Sequence, residues 1–397
     1  MTKARYFKLI LILGSLTALG PFSIDMYLPG FAGIAKDLNT TVANVAMTLS
    51  SYFIGISAGQ LLYGPLLDRY GRKKPLFIGL LVYILASLSC AFVRDIDTFI
   101  GLRFIQAVGS CAATVASVSM VRDLFPVRDI PKVFSLLMLV VGLSPMLAPT
   151  VGGYVTDAYG WHMVFLILMG IGIVILLASY FGLPSSYTPD TTISLKPKPI
   201  LLNFASVLKE PQFYTYAFTG SIAFSGLFTY VAASPIIFMD IYKVEPKTYG
   251  WIFAFMSLSF ILASQLNSVL LRWFSSEQMI MGALLTQSTI VVTFVLLAVN
   301  DMLGLYQTIG MLFIFLACLG ISNPNTAGLT LAPFTKNAGS ASALMGAIQL
   351  GLGAFASFAV GVFLKDSVLP MVLIMTTSTL VALLVLLIGK RTIKVKY

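Results

Sequence analysis

Charge is what this chain has least of. Asp, Glu, Lys and Arg make up only 10% of its 397 residues, where a soluble domain carries about 25%. Hydrophobic residues reach 58%, more apolar surface than so few charges could cover in water. Histidine occurs once, at His162, and cysteine three times, at Cys90, Cys111 and Cys318. That scarcity excludes the clustered ligands of a metal centre and any paired nucleophile and base. The cysteines read as small buried hydrophobes and say nothing about redox compartment. A retinal pigment would need a lysine inside an apolar run, and there is none. Neither an enzyme nor a bound metal or other cofactor is expected.

What the chain has in excess is long apolar runs. It breaks into about 12 segments of roughly 17–25 residues, each long enough to cross the hydrocarbon core of a bilayer as a helix. They are Leu9–Leu28, Ala43–Leu62, Leu76–Phe92, Thr98–Met120, Val133–Tyr154 and Trp161–Leu183, then Tyr214–Met239, Tyr249–Leu270, Met279–Val299, Met302–Asn323, Ser340–Leu364 and Val368–Ile388. Lipid admits only helices and closed barrels, and runs of this length without alternating polarity favour helices. The one long polar interruption, Pro184–Pro211, carries Pro189, Pro197 and Pro199 among Ser, Thr and Lys, the composition of a linker. The expected organisation is an all-α membrane protein: a six-helix bundle over 1–183, a linker over 184–211 and a second six-helix bundle over 212–397.

The net charge of +10 invites a nucleic-acid reading, but its distribution argues against one. With a cytoplasmic N-terminus, 19 of the 25 Lys and Arg fall on the cytoplasmic side. They lie in the two tails, at Arg69–Lys74, at Arg122–Lys132, in the central linker, at Arg272 and at Lys336. The opposite side holds Lys36, Arg94, Lys243, Lys247 and Lys365. This is the positive-inside asymmetry of a multi-pass membrane protein with both termini in the cytoplasm, and the basic tail also suits anionic lipid. Lys3, Arg5 and Lys8 ahead of an apolar run mimic a signal peptide. The run passes through Asp25 and Pro29 without a small-x-small cleavage site, so it reads as an uncleaved first helix.

Against that background two residues stand out. Asp25, in the first run, and Arg103, in the fourth, are the only ionisable side chains deep inside apolar stretches. A charge at the bilayer centre costs about 2.5–3.5 kcal/mol even on the lenient insertion scale, so both are functional candidates. A carboxylate in a low-dielectric medium takes up a proton far more readily than one in water, and proton release and ligand entry can then compete at one residue. The alternative is an Asp25–Arg103 ion pair that only locks two helices.

The connection after the second run reads Gly64-Pro-Leu-Leu-Asp68-Arg69-Tyr-Gly71-Arg72-Lys73-Lys74-Pro-Leu. Gly71 suits a tight turn with positive φ, Asp68 suits a helix N-terminus, and the basic cluster holds the turn on the cytoplasmic side. This segment resembles the loop signature of the major facilitator superfamily. Arg103-Phe-Ile-Gln106-Ala-Val-Gly109 resembles the family's intramembrane arginine motif, with Ala107 where Gly is usual. Ser144-Pro145-Met-Leu-Ala148-Pro149-Thr-Val-Gly152-Gly153 resembles the motif of its antiporter branch, with Ala148 in place of Gly; two prolines and a glycine pair soften a helix and allow close approach. Ser23-Ile-Asp25-Met-Tyr27-Leu-Pro29, Trp161-His162 and Ala338-Gly339-Ser-Ala-Ser resemble the bicyclomycin-resistance (Bcr/CflA) branch of drug:proton antiporters. In the second half the loop signature has decayed to Asn267…Arg272.

The resemblance implies the major facilitator fold: 12 transmembrane helices in two bundles around a cavity that opens alternately to either side. It implies that Asp25 binds the coupled proton, that Arg103 tunes it, and that Asp68, Arg72 and Asp123 form a cytoplasmic latch. Phe22 lies one turn from Asp25 on the same face and Tyr27 is close in sequence. With Tyr52 and Gln60 in the second run, Phe224, Phe228 and Tyr230 in the seventh and Gln349 in the eleventh, they are the candidate substrate contacts. Aromatic walls with few polar groups suit apolar, variable ligands, though such residues also pack helices or face lipid. Gly55-Ile-Ser-Ala-Gly59 reads as helix packing within one protomer, and His162 as structural.

The function expected is efflux of small lipophilic drugs in exchange for protons, by a monomer in a bacterial inner membrane. Export of a dedicated metabolite such as a siderophore remains open, as does proton-coupled uptake, which the antiporter-like motif disfavours. The topology is tested by single-cysteine labelling from outside the cell: positions 36, 243 and 365 should react, and positions 73 and 394 should not.

Overall fold

The structure, a computed structural model, describes residues 3–126, 129–184, 189, 197–334, 338–363 and 367–396. Lys336 and Lys365, used above to orient the chain, lie outside the described residues. So does most of the segment between Pro184 and Pro197. The helices are α1 (Lys3–Asp25), α2 (Phe31–Asp37), α3 (Val42–Tyr70), α4 (Lys73–Cys90), α5 (Ile96–Leu124), α6 (Ile130–Tyr159) and α7 (Trp161–Gly182). They continue as α8 (Pro197–Leu208), α9 (Pro211–Pro235), α10 (Pro246–Leu270), α11 (Ser276–Val299), α12 (Leu305–Leu331), α13 (Ala338–Phe363) and α14 (Leu369–Lys396). Among the described residues, twelve spans are long and apolar enough to cross a membrane, α1 and α2 together forming one of them and α8 none.

Local chemistry accounts for the helix ends. Asp95 caps α5 by accepting from the Thr98 N–H at 2.8 Å, and Ser275 and Gln278 form a reciprocal capping box on α11. Gly71, at φ 83°, turns the chain between α3 and α4, and Gly160, at φ 80°, turns it between α6 and α7; both conformations favour glycine.

Three elements differ from the sequence reading. The first span is not one helix: α1 stops at Asp25, and a 3₁₀ turn over Leu28–Gly30 leads into α2. The cause is Pro29, whose ring would collide with the carbonyl four residues back, that of Asp25. The polar linker contains α8, which docks by burying Val207 against Phe213, Ala217 and Ala341. Finally, α12 runs through Pro324 to Leu331. Asn325 Nδ2 donates to the Ile321 carbonyl at 2.7 Å, satisfying backbone next to the gap that the proline leaves.

The chain divides into two compact units. The first is Met1–Thr41, Ser51–Lys196 and Pro246–Trp251; the second is Val42–Ser50, Pro197–Glu245 and Ile252–Tyr397. In the first, α1 packs on α5, α6 and α7, while α4 packs on α5 and α7. In the second, α9 is the centre, flanked by α12, α13 and α14.

Small residues bring the helices of the first unit together. A Cβ on Gly55 would meet that of Ala107 at 2.7 Å, and one on Gly59 would meet that of Cys111 at 2.7 Å. The small-residue pair on α3 therefore packs inside the protomer, and Ala107 still permits the close approach. Gly109 is tighter, since a Cβ there would lie 2.6 Å from the Tyr83 backbone N. Gly109→Leu is expected to cost about 1–3 kcal/mol through overpacking and to lower the melting temperature of the purified protein. Gly101→Leu, where a Cβ meets nothing within 4 Å, should leave it unchanged.

Candidate functional site

Arg103 is fully buried in α5, so its charge has to be satisfied by protein. One guanidinium nitrogen donates to the Ser23 carbonyl at 2.9 Å and another to Gln106 Oε1 at 2.5 Å. Its planar face lies between two tyrosine rings, 4.2 Å from the Tyr27 centroid and 4.3 Å from that of Tyr52. Cation–π contacts of this kind are worth about 2 kcal/mol when desolvated. Tyr27 is fixed in turn by Phe31, Phe99 and Phe165.

Ser23 lies in the last turn of α1, where a helix runs out of intrahelical partners for its carbonyls. Arg103 thus serves as a cationic cap on a helix C-terminus, the end that the macrodipole makes negative. Asp25 follows two residues later, at 5% exposure. It forms no ion pair with Arg103 or with any other described residue. The helix-locking pair that the sequence left open is absent from this conformation.

Tyr27 and Tyr52, expected as substrate contacts, are both fully buried and support the arginine instead. The reason is electrostatic: a buried guanidinium draws the aromatic faces that a ligand would otherwise use. Phe22 and Gln60 remain half-buried. The antiporter-like motif also reaches this place. A Cβ on Gly152 would fall 1.9 Å from the Met26 carbonyl oxygen, so α6 touches the backbone next to Asp25. Its neighbour Gly153 abuts Pro246, whose carbonyl would be 2.6 Å from an added Cβ. Nearby, Thr150 donates to the Gly250 carbonyl at 3.3 Å, and Lys247 pairs with Asp157 at 2.7 Å. Pro145 and Pro149 both lie inside α6 without ending it.

The connection after α3 is organised by Arg72. It pairs with Asp68 one turn back and, through Nε at 2.8 Å, with Asp123 of α5. Burial pulls the Arg72 pKa down, but the hydrogen bonds to Asp123 and Asp68 outweigh it, and the net direction is up. Arg69 lies over the Tyr70 ring at 5.8 Å, and Gly64 faces open space. On the opposite side, Trp161 donates to Asp37 at 2.8 Å and stacks on His162, which fits a structural role for that histidine.

In the second unit, Phe224 packs edge-on against Phe228 and Phe260, and Tyr230 stacks on Phe253. Phe228 is buried in a space that only Gly353 leaves open. Gln349 donates to Asn323 at 3.0 Å, and Asn325 donates to Asn267 at 2.6 Å. The sequence reading missed the bonding of Asn323 and Asn325, and it missed Tyr83 and Ser87, which face the arginine site from α4. For Tyr83 and Ser87 the signal was present as polar residues four apart inside an apolar helix.

A buried arginine satisfied by protein groups and a buried carboxyl group without an ion pair, set among twelve apolar spans of the described residues with an ion-paired turn after α3, fit a polytopic membrane transporter rather than an enzyme. The Major Facilitator Superfamily model matches residues 13–358, and the chain belongs to that superfamily. It is 32% identical to a bicyclomycin resistance protein homolog of Haemophilus influenzae, over 95% of each chain. It is 27% identical to a chloramphenicol resistance protein of Pseudomonas aeruginosa, over 86% of this chain and 81% of that one. Among solved structures, a D-xylose-proton symporter superposes with a TM-score of 0.75 over 96% of this chain and 97% of that one, at 14% identity. At that identity the likeness speaks to the fold alone, which is the major facilitator fold.

Opposite charges where α3, α4 and α5 end beside one another can bias a two-state balance without touching substrate. Asp68→Asn is expected to lower turnover several-fold while drug binding to the detergent-solubilised protein is unchanged. A parallel fall in binding would place Asp68 in the substrate site.

Proposed function

We propose that this protein exports small lipophilic drugs across a bacterial inner membrane in exchange for protons. In this reading it works as a monomer with both termini in the cytoplasm. The drug-resistance relatives support the substrate class, and the Lys and Arg asymmetry supports the orientation. The observation that carries the proton coupling is Asp25: a carboxyl group 5% exposed, inside a membrane span, without an ion-pair partner. An unpaired carboxylate in such a medium is unfavourable, so its occupancy by a proton depends strongly on what surrounds it. Alternating access changes those surroundings. A proton biases the conformational equilibrium only through its different affinity for the two states, and Asp25 sits where that difference can arise, at a helix break flanked by Arg103 and Gly152. The latch at Asp68, Arg72 and Asp123 sets the conformational balance, while half-buried Phe22, Gln60, Phe224 and Gln349 are the more accessible of the candidate ligand contacts.

Asp25→Asn imitates the permanently protonated form. It should fold, bind neutral drug and fail to transport against a pH gradient. The decisive measurement is drug-induced proton release from purified protein in weak buffer, which should vanish in Asp25→Asn. Undiminished release would move the coupling site elsewhere. Arg103→Ala should keep partial coupling with a displaced pH optimum.

A further inference from the structure

Around Arg103 the hydroxyl groups fix the direction of every hydrogen bond. Ser87 Oγ donates to the Tyr83 carbonyl at 2.7 Å, so toward Gln106, 2.8 Å away, it can only accept. The Gln106 amide nitrogen is therefore committed to Ser87, and its oxygen is turned toward Arg103. By the same logic, Ser23 Oγ donates to the Leu19 carbonyl at 2.7 Å, so the Tyr83 hydroxyl at 2.8 Å donates to Ser23. Ser110 Oγ donates to the Ala107 carbonyl at 2.9 Å, so the Tyr52 hydroxyl donates to Ser110 at 2.9 Å. All these side chains are buried. α4 thus holds both the serine whose carbonyl receives Arg103 and the glutamine that aims Arg103 at it. Besides the Ser23 carbonyl itself, Gln106 is the side chain that hydrogen-bonds the guanidinium, while Tyr27 and Tyr52 offer it ring faces.

We infer that Gln106 is a positioning residue for proton coupling: fastened to Ser87, it keeps Arg103 on the carbonyl of Ser23 and off the carboxyl group of Asp25. This rests on the proposal that Asp25 carries the coupled proton. With Gln106 in place the two residues stay unpaired, as the structure shows them, and Asp25 can hold a proton. If the clamp is released, the guanidinium gains freedom to reach the carboxylate two residues along the same chain. An approaching cation favours the ionised form, so the proton is lost more easily. The other titratable groups here are Tyr27 after α1, Tyr52 from α3, and Tyr83 and Cys90 from α4. The titratable residues of α6 and α7, namely Lys132, Tyr154, Asp157, Tyr159, His162 and Tyr180, lie toward the ends of those helices.

The test is the pH profile of drug-induced proton release from purified protein, with folding checked by gel filtration and thermal melting. Gln106→Leu removes the clamp and should displace the midpoint toward acid by about one pH unit. Ser87→Ala loosens Gln106 without touching Arg103; it should displace the midpoint in the same direction by less, and Ser87→Thr, which keeps the hydroxyl, should restore it. Gln106→Glu has no N–H for Ser87, whose hydroxyl must turn to donate to it, but it holds Arg103 by charge and should move the midpoint toward alkali. Opposite displacements from Leu and Glu are not the result of a merely structural role. If Gln106→Leu fails to fold, the Ser87→Ala and Ser87→Thr pair decides alone. A midpoint coincident with wild type, or one moving the same way in Leu and Glu, overturns the inference. Asp25→Asn, run beside them, separates the two claims: persistent release there defeats the proton assignment, whereas Asp25-dependent release with a stationary Gln106→Leu midpoint defeats only the clamp.

Discussion

A helix cannot be broken inside hydrocarbon without finding new partners for the backbone groups that the break exposes. That constraint organises the first unit. Pro29 disfavours continuing the helix past Asp25, α1 ends there, and hydrocarbon offers no water to solvate its last turn. The protein answers with an internal cation. Arg103 would be too costly if buried alone, and the free carbonyl end of α1 would be too costly if left bare; each offsets the other. The glutamine and the tyrosine faces add to its satisfaction, and the serines hold those side chains in place.

That balance explains why Asp25 is left unpaired. An arginine engaged with a helix end and two aromatic faces is committed elsewhere, although the Ser23 carbonyl that it caps lies only two residues before Asp25. A direct pair would hold its proton equilibrium at one value. The arrangement observed keeps the charge near and uncommitted, so modest movements of α1, α5 or α6 change the electrostatic environment of the carboxyl group by a large factor in a low-dielectric medium.

The spans were legible in the sequence because a bilayer accepts so few structures. Apolar runs of sufficient length, charge asymmetry and a polar interruption left little freedom, and the twelve spans appear where expected. Asp25 and Arg103 were legible for the same reason, as charges where charges are expensive. Their relationship was not. Proximity in role suggested an ion pair, whereas the break at Pro29 supplied Arg103 with a different acceptor. That Tyr27 and Tyr52 pack on Arg103 was not legible, because an aromatic residue in a span has several uses, and which one applies depends on what lies across the helix interface. Tyr83, Ser87 and the asparagines of α12 were overlooked because isolated polar residues in apolar helices usually bond to their own backbone.

Gly152 and Gly153 meet two different neighbours, the backbone beside Asp25 and the start of α10. Consecutive residues on a helix point about 100° apart, so α6 touches both neighbours at one height and on two sides, like the lobes of a cam. Neither contact has slack enough for a methyl group. A roll of α6 about its own axis that relieved one contact would press or release the other, and the backbone beside Asp25 and the first turn of α10 would move in step.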